Sequence, residues 1–450
     1  MKQNKKGIVY LFLLKISLVP AQTLLDNYVE EGLENNQTYI KEQLDTKIAQ
    51  EEQNIAKGLF LPEVTFNANY TLADGGRLIG FPVGDLFNPA YTVLNELTQT
   101  NQFPTDLANF NEQLLPNDFH ETRLRLIQPV LNTDIYFGYK AKRELTSVNL
   151  AKEEAYRNQL AFQIRKAYYD HLKLMEQRII LDSTRLVIKE LVRVNTKLVE
   201  YDVATKDAVL DAKTQLSDIN AQLAANERLI NTSRIFFNFL LNRELESEIA
   251  MDVVQLEETE EANLERLKQN ALSNRSEIAQ LEGSLLAQRF EIKRNQNFIV
   301  PDINVLFEGG FQGFGYSFDT EQDYVLFNVG LVWPLFKGGR NSANIRKAKL
   351  QKQQLETQLT DLRNTIQLQV ADAYYQYQES LKIYASRVSG LASALENFKI
   401  VEAQYRQNQV ALLQFNDART KLTNAQLRES IAKYDIMIAR ANLKKTVQIP

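Results

Sequence analysis

The chain has 450 residues, of which 44% are hydrophobic and 24% charged, with a formal net charge of -4 and no cysteine. The missing cysteines exclude a disulfide framework, thiolate metal sites and a cysteine nucleophile, and an acidic chain without a basic patch is poorly suited to nucleic acid. No stretch beyond Ala21 approaches the about 20 apolar residues of a transmembrane helix, so any membrane insertion must be as a β-barrel.

Residues 1–21 read as a secretory signal peptide. Lys2, Lys5 and Lys6 precede apolar runs from Gly7 to Leu14 and from Ile16 to Val19, interrupted by Lys15, and Val19 and Ala21 suit a cleavage before Gln22. The apolar run is too short for an anchor helix, and no cysteine follows it for lipid attachment. The segment carries four lysines and no acid, so its removal takes the net charge from -4 to -8.

The first structural repeat is expected over 22–245. Its first strand, about 61–72, alternates strictly, with Val64, Phe66, Ala68, Tyr70 and Leu72 on one face and Thr65, Asn67, Asn69 and Thr71 on the other; period two makes a strand with one apolar and one polar face. A long loop, about 73–120, carries Phe81, Phe87, Tyr91, Phe103 and Phe110 and is expected to be ordered rather than a tether. The second strand, about 121–131, sets Leu124 and Leu126 against Arg123 and Arg125. A helical hairpin follows over about 134–242. Its first helix has no internal proline from Asp134 to Glu200, and Leu191, Val194, Leu198 and Tyr201 take the alternating three-and-four steps of a coiled coil. At 1.5 Å per residue such a helix is about 100 Å long. It breaks between Asp202 and Lys206, and helix resumes through Leu216, Ile219 and Leu223.

The second repeat is expected over 246–450. Glu257, Glu258, Glu260 and Glu261 mark a helix start, where acidic residues are favoured, and carry no further chemistry. Strands follow at about 302–311 and 324–335. In the first, Ile303, Val305 and Phe307 oppose Asn304 and Glu308; in the second, Val325, Phe327, Val329, Leu331 and Trp333 alternate with residues that include Asn328 and Gly330. The matching hairpin, about 339–445, places Leu355, Leu359, Leu362, Ile366, Tyr384, Val388, Leu391, Leu395 and Phe398 at coiled-coil spacing. It turns between Gln407 and Ala411, where Asn408 suits a left-handed turn.

The two repeats echo each other residue by residue. Pro62 in GLFLPEVTFNANYTL matches Pro301 in NFIVPDINVLFEGGF, and Pro129 in LRLIQPVLN matches Pro334 in VGLVWPLFKGG. Ala167-Tyr168-Tyr169 recurs as Ala373-Tyr374-Tyr375, and Tyr201 with Asp211-Ala212 recurs as Tyr405 with Asp417-Ala418. Two copies of so long a unit are not a solenoid; they describe a pseudo-symmetric molecule. Each strand run, about 9 to 11 residues, has the length that a tilted strand needs to cross a bilayer. Four strands cannot close a barrel, because the smallest use about eight, and open edges in lipid cost several kcal/mol per orphan group. Two, three or four chains would supply about eight, twelve or sixteen strands.

Catalysis has no foothold. The two histidines, His120 and His171, fall on different elements, and Gly309 to Gly315 lies at a strand end without the Lys-Ser/Thr or helix of a phosphate loop. No cofactor, metal ligand set or enzyme activity is expected. A secreted or periplasmic structural coiled coil would not need alternating strands and a signal peptide together, and a periplasmic adaptor should carry an inserted Gly-rich all-β domain, which is absent.

The duplicated strand-strand-helix-turn-helix order, the prolines at the strand ends and the stretch YRQNQVALLQFNDARTKL together resemble the TolC-type outer-membrane efflux proteins, over the whole chain after Ala21. The resemblance implies an α+β membrane protein of the cell outer membrane: a homotrimer with a 12-stranded β-barrel in outer-membrane lipid, continued by a 12-helix α-barrel, a coiled-coil tunnel, into the periplasm. It implies an exit duct for an efflux or type I secretion system, working with a periplasmic adaptor (membrane fusion) protein and an inner-membrane pump. It also places a periplasmic gate at Tyr405 and Asp417, with Gln414 where the family carries a further aspartate and Asn408 where it carries a turn glycine. Three Asp417 carboxylates converging there would repel one another, raise at least one pKa and attract cations, while Gln414 puts a double acidic ring in doubt. The adaptor-docking tips fall on Val203, Ala204 and Thr205 and on Val410, Ala411 and Leu412. The long first loop, a departure from the short one near Gln312 to Asp323, is expected to fold over the outer mouth. Drugs, metal ions and proteins all remain open as substrates.

Overall fold

The computed structural model describes residues 24–252, 263–407 and 409–448. The expected signal peptide (1–21), the acidic residues Glu257, Glu258, Glu260 and Glu261, and Asn408 lie outside the described residues. In chain order the elements are α1 (Leu24–Asn35), α2 (Gln37–Gly58), β1 (Glu63–Thr71), β2 (Leu78–Phe81), α3 (Val83–Thr98), β3 (Phe110–Gln113), β4 (Phe119–Leu131), α4 (Thr133–Glu200) and α5 (Lys206–Leu241). They continue with α6 (Leu264–Asn274), α7 (Ser276–Gln296), β5 (Asp302–Phe314), β6 (Asp323–Val332), α8 (Arg340–Arg406) and α9 (Leu412–Val447). The chain forms two compact units, one of residues 49–146 with 284–354 and the other of residues up to 48 with 147–283 and 355–450.

The first unit holds an antiparallel sheet in the order β1-β4-β5-β6. Its apolar face is turned outward: Phe66 is 70% exposed, Val325 73% and Phe327 66%, with Val64, Leu124, Phe307, Val329 and Leu331 also exposed. Charge occupies the opposite face. Arg123 donates through Nη1 to Glu121 Oε1 at 2.6 Å and to Glu308 Oε1 at 3.3 Å, and the Tyr324 hydroxyl donates to the same Glu308 oxygen at 2.8 Å. Arg125 Nε lies 3.6 Å from Glu308 Oε2. Folding in water puts apolar groups inside and charges outside; this sheet does the reverse. Both outer strands, β1 and β6, have an open edge.

Two boundaries depart from the alternation pattern. β6 stops at Val332, so Trp333 and Pro334 lie beyond it, and β5 runs on to Phe314. A proline has no N–H for the ladder, which accounts for the early end. The strand count of four holds for this sheet only, because β2 and β3 pair separately inside the long loop, Leu78 opposite Gln113 and Phe81 opposite Phe110.

That loop is a small folded module. Asn88 of α3 donates to the Leu107 carbonyl at 2.9 Å and accepts from the Leu107 N–H at 2.9 Å, and Asn95 pairs in the same way with Phe103 at 2.8 and 3.0 Å. Each amide thus mimics a backbone ladder rung and fixes α3 to the returning chain. The aromatics of the sequence pack as expected of ordered structure: Phe81 stacks on Phe110 at 5.1 Å, and Tyr91 lies between Phe87 and Phe103.

The second unit is helical. It holds α4 from residue 147 and α8 from residue 355, helices of 68 and 67 residues in all, which turn into α5 and α9, of 36 residues each. Two shorter pairs, α1–α2 and α6–α7, precede the strands of each repeat; of these the sequence pattern marked only a helix start ahead of α6. They are internal equivalents. Asn36 sits at the α1–α2 junction, accepts from the N–H groups of Thr38 and Tyr39, and donates to the Leu240 carbonyl at the end of α5, 2.9 Å away. Arg275 sits at the α6–α7 junction and donates to the Thr446 carbonyl at the end of α9, 3.0 Å away. Both side chains are buried. The unit has two main cores, one with Tyr28, Leu160, Ile164, Tyr168, Phe237 and Leu241, the other with Leu267, Ala271, Ile366, Val370, Ala373 and Val447. Further along α8 the coiled-coil stripe is uncovered: Val388 is 43% and Leu395 39% exposed.

Candidate functional site at the hairpin ends

The ends of the two hairpins carry the residues that the sequence marked. Between α4 and α5 the chain turns through Asp202, which has φ +56°, the left-handed region that acidic side chains tolerate better than most. Val203 is 69% exposed, Ala204 half-buried, and Thr205 forms the N-cap of α5 without a side-chain cap bond. In the other hairpin Val410 and Leu412 are half-buried and Ala411 is the exposed N-cap of α9. A cap side chain that accepts no N–H leaves the first turn of the helix free to bond elsewhere. An apolar groove of about 330 Å³ lies beside the first tip, lined by Thr196, Val199, Glu200, Lys206, Val209 and Leu210.

Tyr405, Gln414 and Asp417 lie close in sequence but have different surroundings. The Tyr405 ring stacks on Phe415, with centroids 4.8 Å apart and planes at 21°, and Phe398 approaches Phe415 from the other side at 5.8 Å. This burial pushes the Tyr405 hydroxyl above its ordinary pKa. Gln414 is exposed, its N–H bonded to the Ala411 carbonyl at 3.0 Å. Asp417 is exposed and pairs with Lys421, one turn on, at 2.6 Å. Tyr405 therefore belongs to the packed side of the hairpin end and Asp417 to its open side.

The contacts that join the hairpins add Gln215, Asn416 and Arg419, which the sequence reading passed over, to Asp211, which it had aligned with Asp417. Asn416 donates to Asp211 Oδ2 at 3.0 Å, Gln215 donates to the same oxygen at 2.8 Å, and Arg419 donates to Gln215 Oε1. Leu191, Ala212 and Phe415 pack beneath them. Asp211 and Gln215 are on α5, Asn416 and Arg419 on α9, so this is a polar clamp between the first hairpin and the second. Arg419 is 5% exposed, and burial lowers its pKa against the opposing pull of Asp211. Its Nη1 and Asn416 Oδ1 are buried without a hydrogen-bond partner within the chain, leaving the clamp electrostatically incomplete. The signal was visible in part: Asp211-Ala212 and Asp417-Ala418 align as repeat equivalents, but periodicity does not say that Asp211 meets the neighbour of Asp417.

Among the described residues no helix is long and apolar enough to cross a membrane. Residues 267–447, which span α7 through α9 and include the second sheet pair and the second hairpin, match the family described as outer membrane efflux protein. The second repeat thus carries the outer membrane efflux protein pattern. The proteases secretion protein PrtF of Dickeya chrysanthemi is 20% identical over 369 residues, 79% of this chain and 73% of that protein. The solved structure of the CmeC outer membrane channel of Campylobacter jejuni superposes with a TM-score of 0.79 at 15% identity, covering 94% of this chain and 85% of that one. The outer membrane protein VceC of Vibrio cholerae gives a TM-score of 0.76 at 16% identity, with 94% and 95% covered. The likeness to the solved structures gives the chain a helix-rich α+β fold. The family and its structural neighbours are channel proteins rather than enzymes.

Proposed function

We propose that this chain is the outer-membrane exit duct of a tripartite efflux or type I secretion system, passing substrates from an inner-membrane transporter across the periplasm and outer membrane. The observation that carries it is the inverted sheet: an apolar face exposed, a charged face opposite, and two open edges in a chain whose second repeat matches the outer membrane efflux protein family. An orphan backbone group costs several kcal/mol in lipid, so β1 must pair with β6 of another copy. Three copies make a 12-stranded barrel, with the Arg123–Glu308 network facing its lumen. The six hairpins then form the 12-helix tunnel, which also covers Val388 and Leu395. The decisive experiment is detergent extraction followed by electrophoresis without heating. A heat-sensitive trimer that conducts ions in a planar bilayer supports the duct, whereas a monomer that needs no detergent overturns it.

In this reading Tyr405, Gln414 and Asp417 stand at the periplasmic gate, and Val203–Thr205 with Val410–Leu412 dock the adaptor. The Asp211–Asn416 and Gln215–Arg419 contacts hold the second hairpin against the first, so opening requires their exchange for contacts to water or to the next chain. One carboxylate per chain at Asp417, already paired with Lys421, makes a weaker cation trap than two. Polyvalent cations applied from the periplasmic side should reduce conductance, and Asp417→Asn should remove that block.

A further inference from the structure

The module between β1 and β4 leaves one helix face without a packing partner among the described residues. On α3, Leu86, Ala90, Val93 and Leu97 follow steps of four, three and four and form a single stripe; Leu86 is 66%, Val93 53% and Leu97 76% exposed. The opposite face cannot exchange with it. Asn88 and Asn95 are bonded to the returning chain, and a Cβ at Gly84 would stand 2.0 Å from the Leu107 carbonyl oxygen, so α3 sits against that segment at a distance that only glycine allows. An amphipathic helix buries its apolar stripe against something, and here the fold holds the stripe outward.

We infer that the α3 helices of neighbouring copies pack on one another through Leu86, Ala90, Val93 and Leu97, forming a cap over the outer end of the assembly. This rests on the trimer proposed above. Three observations select a second copy as the occupant. The stripe has the alternating spacing with which a helix packs against helices like itself. The module is carried on β1, whose open edge is the seam where the next copy must add its β6. Residues 73–118 hold six acidic side chains, Asp74, Asp85, Glu96, Asp106, Glu112 and Asp118, against the single basic Arg77, so the module is repelled by anionic lipid headgroups. Asp85 and Glu96 lie to one side of the stripe and Phe87 and Leu94 to the other. The two flanks of each helix differ, as a head-to-tail ring contact requires.

The chain has no cysteine, so single-cysteine variants report directly. In outer-membrane preparations treated with a mild oxidant, Val93→Cys and Leu97→Cys should give disulfide-linked chains, because the stripe brings like residues within the Cα separation of about 4.4–6.8 Å that a disulfide needs. Glu96→Cys, off the stripe, should stay unlinked and react with a membrane-impermeant maleimide. The inference is overturned if unheated samples still run as trimers while Val93→Cys and Leu97→Cys remain unlinked and maleimide-accessible, or if they link to a different protein. Loss of the trimer in the unmodified protein would instead strike the duct reading itself. As a second readout, Leu86→Asp with Leu97→Asp should keep the trimer and raise single-channel conductance at least twofold; unchanged conductance from such a trimer also counts against the cap.

Discussion

At the scale of single residues, the helical unit depends on a few buried polar groups whose partners are fixed. His171 is buried, and its Nδ1 lies 2.8 Å from the Ser233 hydroxyl, which itself donates to the Ile230 carbonyl. The hydroxyl therefore accepts from the ring, and the imidazole is neutral with its proton on Nδ1. Burial, reinforced by Arg234, lowers its pKa from 6.5 to about 4. The unfolded chain binds this proton first, so the contribution to stability is complete above pH 6.5 and is lost as the pH falls towards about 4. That loss is at most about 3 kcal/mol. Denaturant titrations at pH 7 and pH 4.5 should show His171→Gln to be less acid-sensitive than the parent; equal sensitivity would remove His171 from the account. At the hairpin clamp, Asn416→Ala breaks the bond to Asp211, and a lost hydrogen bond to a charged group costs about 1.5–3 kcal/mol. Conductance traces of that variant should show longer open times with the trimer intact.

Among the elements, the long helices and the sheet differ in how far local sequence determines them. Proline-free runs from 134 to 200 and strict alternation from Val64 to Leu72 are unambiguous, because each repeats one period over many residues. Beyond the acidic helix start ahead of α6, the pairing of α1 with α2 and of α6 with α7 was illegible because their junctions are made by tertiary contact: Asn36 reaches the Leu240 carbonyl and Arg275 the Thr446 carbonyl, partners about 200 and 170 residues away in the chain. The clamp was hidden for the same reason, since Asp211 and Asn416 are 205 residues apart. The folded state of the long loop was visible in its aromatics, but its α3 was not, because Pro82, Pro89 and Gly84 interrupt the helical pattern. Asn36→Ala removes both a cap and the donor to a buried carbonyl, and a cost of about 2 kcal/mol is expected from equilibrium unfolding. On the sheet, Phe327→Arg puts a charge on the outward apolar face, where midplane positions cost about 2–4 kcal/mol. Asn328→Arg, on the polar face, should leave folding yield in detergent unchanged.

For the whole molecule, in the proposed ring the duplicated sequence makes the junction between chains a copy of a junction within one. β1 is the repeat equivalent of β5 and β4 of β6, so the pairing of β4 with β5 is the pattern for β6 against β1 of the next chain. Leu126 faces Phe307 within the chain. Carried through the proline alignments, that register sets Leu331 of one copy opposite Ala68 of another. Cysteines at those two positions should cross-link between chains, and a cross-link shifted by one residue would refute the register, since a single step exchanges the two faces of a strand. Half of the equivalent seams in such a ring are tethered through one polypeptide and half are not. The tethered seam closes as a unimolecular event at a rate independent of dilution, while the untethered one waits on encounter between subunits. Assembly should therefore pass through a folded four-stranded protomer with exposed edges, and its lifetime, set by expression level, is where chaperones must act and where aggregation competes.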